Sequence, residues 1–224
     1  MRQRAAFTNR DEAGRALADA LRGRALQPPL VVLALPRGGV PVAAQVARAF
    51  GVPLELLLVR KIGAPWQREL AVAAVVDGEP PDIVRDEQIM AATGTTAQWI
   101  EQQARVEIAE IERRRRVYLR GRPPPEVRGA TVIVVDDGIA TGTTERAALV
   151  ALRRRGPARL VLAVPVAPAD TLAELADEVD DIVCLRTPAP FHAIGLHYVD
   201  FRQLGDDEVL RILAEVNGPP AGAA

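Results

Sequence analysis

Val132-Ile133-Val134-Val135-Asp136-Asp137-Gly138-Ile139-Ala140-Thr141-Gly142-Thr143-Thr144 decides the fold of this 224-residue chain. Four β-branched residues in a row predict a short buried strand. Two carboxylates close it, and a loop of small and hydroxyl residues follows. Glu145-Arg146-Ala147-Ala148-Leu149-Val150-Ala151-Leu152 then predicts a helix. Exposed N–H groups, hydroxyls and the positive end of the helix dipole make such a loop an anion cradle. The acids sit at the carboxyl end of the strand, where open α/β sheets bind ligands. A bare anion would be repelled by them, so the pair calls for sugar hydroxyls, a divalent cation, or both. A phosphorylated sugar with a metal ion satisfies every part. Gly138 and Gly142 are too close for a Walker A loop and no lysine follows them; the three-glycine dinucleotide fingerprint is also absent.

All 13 residues of the stretch resemble the ribose-phosphate signature of type I phosphoribosyltransferases, enzymes that use phosphoribosyl pyrophosphate (PRPP). The hydrophobic strand, the acid pair and the Thr-Gly-x-Thr loop come in the family's order. The resemblance implies that Thr141, Gly142, Thr143 and Thr144 hold the 5′-phosphate, with Gly138 and Ala140 in the same PRPP-binding loop. It implies that Asp136 and Asp137 hold the ribose hydroxyls, directly or through Mg2+ and water. It further implies a nucleobase acceptor, nucleotide salvage and a homodimer. The 6-oxopurine enzymes carry an Asp where this chain has Ala140. That difference argues against hypoxanthine or guanine and brings the stretch closer to adenine phosphoribosyltransferases.

Two further loops follow apolar runs. Leu30-Val31-Val32-Leu33-Ala34-Leu35 reads as a strand buried on both faces and stops at Pro36-Arg37-Gly38-Gly39. Glycines let a backbone approach an anion closely, and Arg37 adds charge. In the resemblance this is the pyrophosphate loop, which in the family often holds a strained or cis peptide. Leu54 to Val59 reads as the next strand, ending at Arg60-Lys61. Of 28 basic residues only Lys61 is a lysine, so a compact ammonium is retained at this one place. The segment resembles the Arg-Lys segment of adenine-type enzymes, whose cations face pyrophosphate. Lys61, Arg37 and Asp137 are thus the candidate catalytic residues, and Arg60 is a second candidate for the pyrophosphate.

The remaining pattern alternates strands and helices, giving an α/β fold with a mainly parallel central sheet and flanking helices. One phosphoribosyltransferase-like domain is expected over residues 1–217, with a hood and long helical insertion at about 66–125, a C-terminal hood segment at about 187–205, and a loose tail from 218. Asn9-Arg10-Asp11-Glu12 caps a first helix ending near Gly23, to which the sequence assigns no chemistry. Leu70 to Val76, Asp77-Gly78 and Ile83-Val84 predict a hairpin, and Glu69 before it is a candidate acceptor contact. Phe191 to Arg202 holds both histidines and several aromatics, a composition suited to gripping a flat ring; Phe191, Tyr198 and Asp200 are acceptor candidates there.

Composition sets the outer limits. Hydrophobic residues make up 49% and charged residues 25%, with a net charge of −1, so nothing global points to nucleic acid or membrane. The run Arg113 to Arg116 reads as a solvated helix end with Glu107, Glu110 and Glu112 in pairing distance. A single Cys184 rules out an internal disulfide and fits a reducing compartment, and no apolar stretch approaches the ~20 residues that span a bilayer. The expectation is a cytoplasmic enzyme. A PRPP-sensing regulator that binds without catalysis, with an RNA contact through the basic run, is the second reading.

Overall fold

The computed structural model describes residues 6–119 and 124–218. Seven helices occur there: α1 (Arg10–Arg22), α2 (Gly39–Phe50), α3 (Glu87–Thr93), α4 (Ala97–Leu119), α5 (Thr143–Arg154), α6 (Ala169–Leu175) and α7 (Asp206–Asn217). The strands are β1 (Leu30–Ala34), β2 (Leu54–Leu56), β3 (Val59–Ala64), β4 (Gln67–Val76), β5 (Asp82–Arg85), β6 (Thr131–Val135), β7 (Arg159–Val166) and β8 (Asp181–Arg186). Five of them form a parallel sheet in the order β2-β1-β6-β7-β8.

The apolar runs build this sheet because both of its faces are covered. Along β6, Ile133 and Val135 enter the core shared with Leu17 of α1, Val42 of α2 and Val209 of α7. Val132 and Val134 enter the opposite core, with Leu149 of α5 and Leu175 of α6. From β1 the chain steps outward to β2, then returns to the other side of β1 as β6. Chain order therefore reverses between β1 and β6, and the helices that follow them, α2 and α5, leave on opposite faces. The gap between their starts is the crevice where sheets of this kind bind ligands. The register Ala34↔Val135 sets the two following loops level with each other.

The expected strand Leu54 to Val59 is divided. β2 pairs with β1 only as far as Ala34↔Leu56, because β1 ends there and leaves no parallel partner. Beyond Leu58 the chain joins a separate antiparallel sheet, β3-β4-β5. The hood thus starts at Val59 rather than near residue 66, and Arg60 and Lys61 lie within a hood strand instead of at the end of a core strand. A register shift at Gly63 depends on the missing side chain: a Cβ would lie 2.2 Å from the Arg68 carbonyl oxygen.

α4 covers the hood on one side and α5 on the other. Within the basic run, Arg113 and Arg114 each bond Glu110 at 2.7 Å, and Arg115 lies 3.3 Å from Glu79. Arg120 and Arg122 lie outside the described residues, as does the expected tail after Gly218. No helix among the described residues is long and apolar enough to cross a membrane. The segment at 187–205 forms one short 3-10 turn, Ile194–His197, and joins the first residues through a bridge between Phe7 and Tyr198. It lies against α1 and the acid loop, through Arg10 to the Arg202 carbonyl and Tyr198 to the Asp137 carbonyl.

Candidate active site

Two helix starts flank the crevice. Gly38 stands at the N-cap of α2 and Gly142 at that of α5, so neither start is capped by a side chain. Uncapped N–H groups at two neighbouring helix N-termini attract anions. Gly142 takes φ +70°, a left-handed conformation that glycine adopts without cost and that aims the chain into α5. Ala140 and Thr141 are exposed, and Thr143 and Thr144 are half-buried on the first turn of α5.

Gly38 and Gly39 are explained by contact with the acid loop. A Cβ on Gly38 would lie 2.2 Å from Asp137 Oδ2, and one on Gly39 would lie 2.6 Å from the Val135 carbonyl oxygen and 2.9 Å from Asp136 Cα. The two loops touch backbone to side chain, which only glycine permits. The Pro36–Arg37 peptide before them is cis. The Arg37 side chain turns outward, 3.3 Å from Asp206 at the start of α7, and Tyr118 of α4 donates its hydroxyl to the same carboxylate at 2.6 Å.

The two acids have different surroundings. Asp137 is 7% exposed, and Arg10 Nε donates to its Oδ2 at 2.7 Å. Arg10 is itself buried; it also donates to the Arg202 carbonyl at 2.9 Å and lies 4.0 Å from the centre of the Phe201 ring. The Tyr198 hydroxyl donates to the Asp137 carbonyl at 2.6 Å. Asp136 is half-buried, and its Oδ1 accepts the Asp137 N–H at 2.7 Å. Beside its carboxyl lies Glu145, a buried acid on the first turn of α5. Burial pushes Asp136 well above the usual carboxylate range, and the charges of Asp137 and Glu145 push it further. Burial also raises Asp137, against the pull of Arg10, and raises Glu145, against its own backbone hydrogen bond, Asp136 and the charge of Lys61.

Of the two cations on β3, Lys61 is exposed, and its charge pulls on Glu145. Arg60 is on the other face of the strand, as alternation demands, with its Nε 2.7 Å from Glu107 of α4. Among the acceptor candidates, Glu69 is exposed on the hood hairpin. Phe191 stacks on His197 at 5.6 Å, and Asp200 is exposed and accepts the Arg202 N–H at 3.1 Å. Tyr198 is 5% exposed, with the Phe7 and Phe201 rings at 5.6 and 5.1 Å, so its ring is buried in an aromatic cluster.

Sequence reasoning missed Arg10 and Glu145. Arg10 read as a first-turn residue of a packing helix, and nothing local signals a partner 127 positions away. Glu145 read as an ordinary acid favoured at a helix start. No group of three or more metal-ligating side chains occurs among the described residues. With Asp137 held by Arg10, Asp136 is the acid of the pair left to meet a cation. That suits Mg2+, which keeps several waters and takes one or two carboxylates plus substrate oxygens.

Fold and crevice define a class: an α/β protein with acids facing two helix N-termini at the switch point of a parallel sheet. The chain belongs to the phosphoribosyl transferase domain family, which matches residues 7–198. A protein of Mycobacterium tuberculosis (strain H37Rv) named for phosphoribosyl transfer is 43% identical over 210 residues, covering 92% of this chain and 46% of that protein. The chain therefore spans about half the length of this curated relative. The crystal structure of TT1426 from Thermus thermophilus is 39% identical, with a TM-score of 0.82 over 94% of this chain and 98% of that one. A Neisseria gonorrhoeae protein solved with ppGpp bound shares the fold at 15% identity and a TM-score of 0.52, over 96% of this chain and 98% of that one.

Proposed function

We propose that this chain transfers the 5-phosphoribosyl group of PRPP to a nitrogen nucleophile and releases pyrophosphate. The bond from ribose C1 to the pyrophosphate oxygen breaks, the bond from C1 to nitrogen forms, and the nitrogen's proton passes to solvent. The observation that carries this reading is the pairing of two uncapped helix starts across one crevice, with Asp136 between them. One start suits each end of a donor that has a phosphate on C5 and a pyrophosphate on C1. Thr141 to Thr144 and the α5 amides hold the 5′-phosphate, and Asp136 accepts from ribose hydroxyls. The Gly38-Gly39 backbone and Lys61 meet the pyrophosphate and stabilise its growing charge, with Arg37 at the rim. Magnesium, when bound with the donor, neutralises pyrophosphate oxygens and orients the ribose. The acceptor is a nucleobase in this reading, and Ala140 favours one without the 6-oxo group.

A panel of nucleobases and amines incubated with PRPP and Mg2+ tests this directly. Acceptor-dependent pyrophosphate release is expected for at least one of them. One observation favours a second reading, a PRPP-binding regulator: Tyr198, expected at the acceptor, is buried against Phe7 and Phe201. PRPP binding with no release across the whole panel would select that reading.

A further inference from the structure

Arg10 stands outside every part of the site described by the motif, yet it is buried, bonded to Asp137 and stacked on Phe201. Its position poses an electrostatic question. The Asp137 carboxylate lies directly beneath Gly38, so close that a single methyl group there would overlap it. Gly38 starts α2, one of the two N-termini open to an anion. A bare carboxylate under that turn would repel any anion brought to it: two unit charges about 7 Å apart at an effective dielectric of about 20 repel by an energy worth more than tenfold in affinity. The guanidinium 2.7 Å from Asp137 cancels that field.

We propose that the two acids of the motif have separate tasks. Asp137 anchors the acid loop, and Arg10 is the counter-cation that lets the neighbouring glycine loop accept pyrophosphate; Asp136 alone meets the ribose hydroxyls. This rests on the PRPP reading above. Asp137 is held on three sides: Arg10 takes one carboxylate oxygen, Gly38 covers the same oxygen from the loop, and Tyr198 fixes the carbonyl. Asp136, by contrast, accepts the amide of Asp137 and has the carboxyls of Glu145 and Asp137 beside it, with no cation bonded to it among the described contacts. Arg10 is thus a positioning residue that acts on the ligand through Asp137.

Calorimetry with inorganic pyrophosphate and with Mg-PRPP, alongside thermal melts, separates the tasks. Asp136→Asn is expected to weaken PRPP binding by about 10- to 100-fold, the worth of a hydrogen bond to a charged group, with little change in pyrophosphate affinity or melting temperature. Asp137→Asn should keep PRPP affinity within about threefold and lower the melting temperature by roughly 5–10 °C, since it strands a buried guanidinium. Arg10→Gln should weaken pyrophosphate about tenfold. Adding Asp137→Asn to Arg10→Gln should restore that affinity, which a purely structural Arg10 would not do. Should Asp137→Asn fail to fold, the neutral double variant still reports both affinities. The proposal is overturned if Asp137→Asn loses PRPP binding as fully as Asp136→Asn, or if the double variant binds pyrophosphate no better than Arg10→Gln. Failure of the wild type to bind PRPP while it binds pyrophosphate would instead reject the donor reading, with the Arg10 rescue still decisive for the counter-cation.

Discussion

At the scale of single residues, contact rather than composition separates functional side chains from bland ones. Arg60 and Lys61 are neighbours of like charge, and the alternation of β3 sends one to Glu107 and the other to the opposite face, where its charge pulls on buried Glu145. Lys61→Ala is expected to lower pyrophosphate release by about 100-fold, as for loss of one preorganised stabilising group. Arg60→Ala should lose only a partly exposed ion pair, worth at most about 1 kcal/mol in a urea melt. Gly38 and Gly51 make a similar contrast. A Cβ on Gly51 meets nothing within 4 Å, but its φ of +64° makes Ala cost about 1–2 kcal/mol. Gly38 has ordinary backbone angles, φ −58° and ψ −41°, yet Ala there must displace Asp137 and its bond to Arg10. Gly38→Ala should cost about 1–3 kcal/mol by denaturation and weaken pyrophosphate binding, which Gly51→Ala should leave unchanged. The sequence marks Gly38 only weakly, because Arg-Gly-Gly is a common turn; the acid loop pressed against it is what makes it irreplaceable.

At the scale of elements, α7 does two things that its amphipathic pattern does not announce. Its last residue, Asn217, accepts the Leu54 N–H and donates to the Leu54 carbonyl, both at 2.8 Å. A side-chain amide thereby takes the place of a neighbouring strand on the open edge of β2. Asn217→Ala should cost about 1–3 kcal/mol, the penalty for leaving those backbone groups unpaired, read from chemical unfolding. Its first residue, Asp206, holds the Arg37 side chain together with Tyr118. Asp206→Asn releases that side chain toward the pyrophosphate loop, and calorimetry should show pyrophosphate affinity rising by about two- to fivefold. The strands and most helices were legible in the sequence because apolar runs and caps are local signals. The break between β2 and β3 was not, since Leu54 to Val59 is apolar apart from Glu55, without a local break, and only the end of β1 decides where pairing stops.

At the scale of the whole molecule, Asp77 ties the hood to the core. It is 2% exposed, 3.6 Å from Arg115 of α4, and its carbonyl accepts from Arg155 at the end of α5. Burial raises its carboxyl above the usual range, against the pull of Arg115 and Arg155. A folded-state pKa above the unfolded one means that the folded chain binds this proton more tightly. The corresponding stability is present at low pH and is lost as pH rises through the folded value. Urea melts of Asp77→Asn should therefore show a gain over the wild type at pH 8 that shrinks as pH falls toward the unfolded carboxylate value. The sequence by itself determined the parallel α/β sheet, the polar turn at Thr141 to Thr144 that leads from β6 into α5, and the membership of the chain in its family. Periodicity, capping and a 13-residue motif are all written along contiguous residues. Only the tertiary structure decided that Asp136 and Asp137 differ, that Arg10 and Glu145 belong to the site, and that Tyr198 supports the acid loop from beneath. The Arg10 and Tyr198 contacts span 127 and 61 positions, and Glu145 meets Asp136 only because the turn into α5 folds back on the acid pair, so a linear pattern carries no record of them.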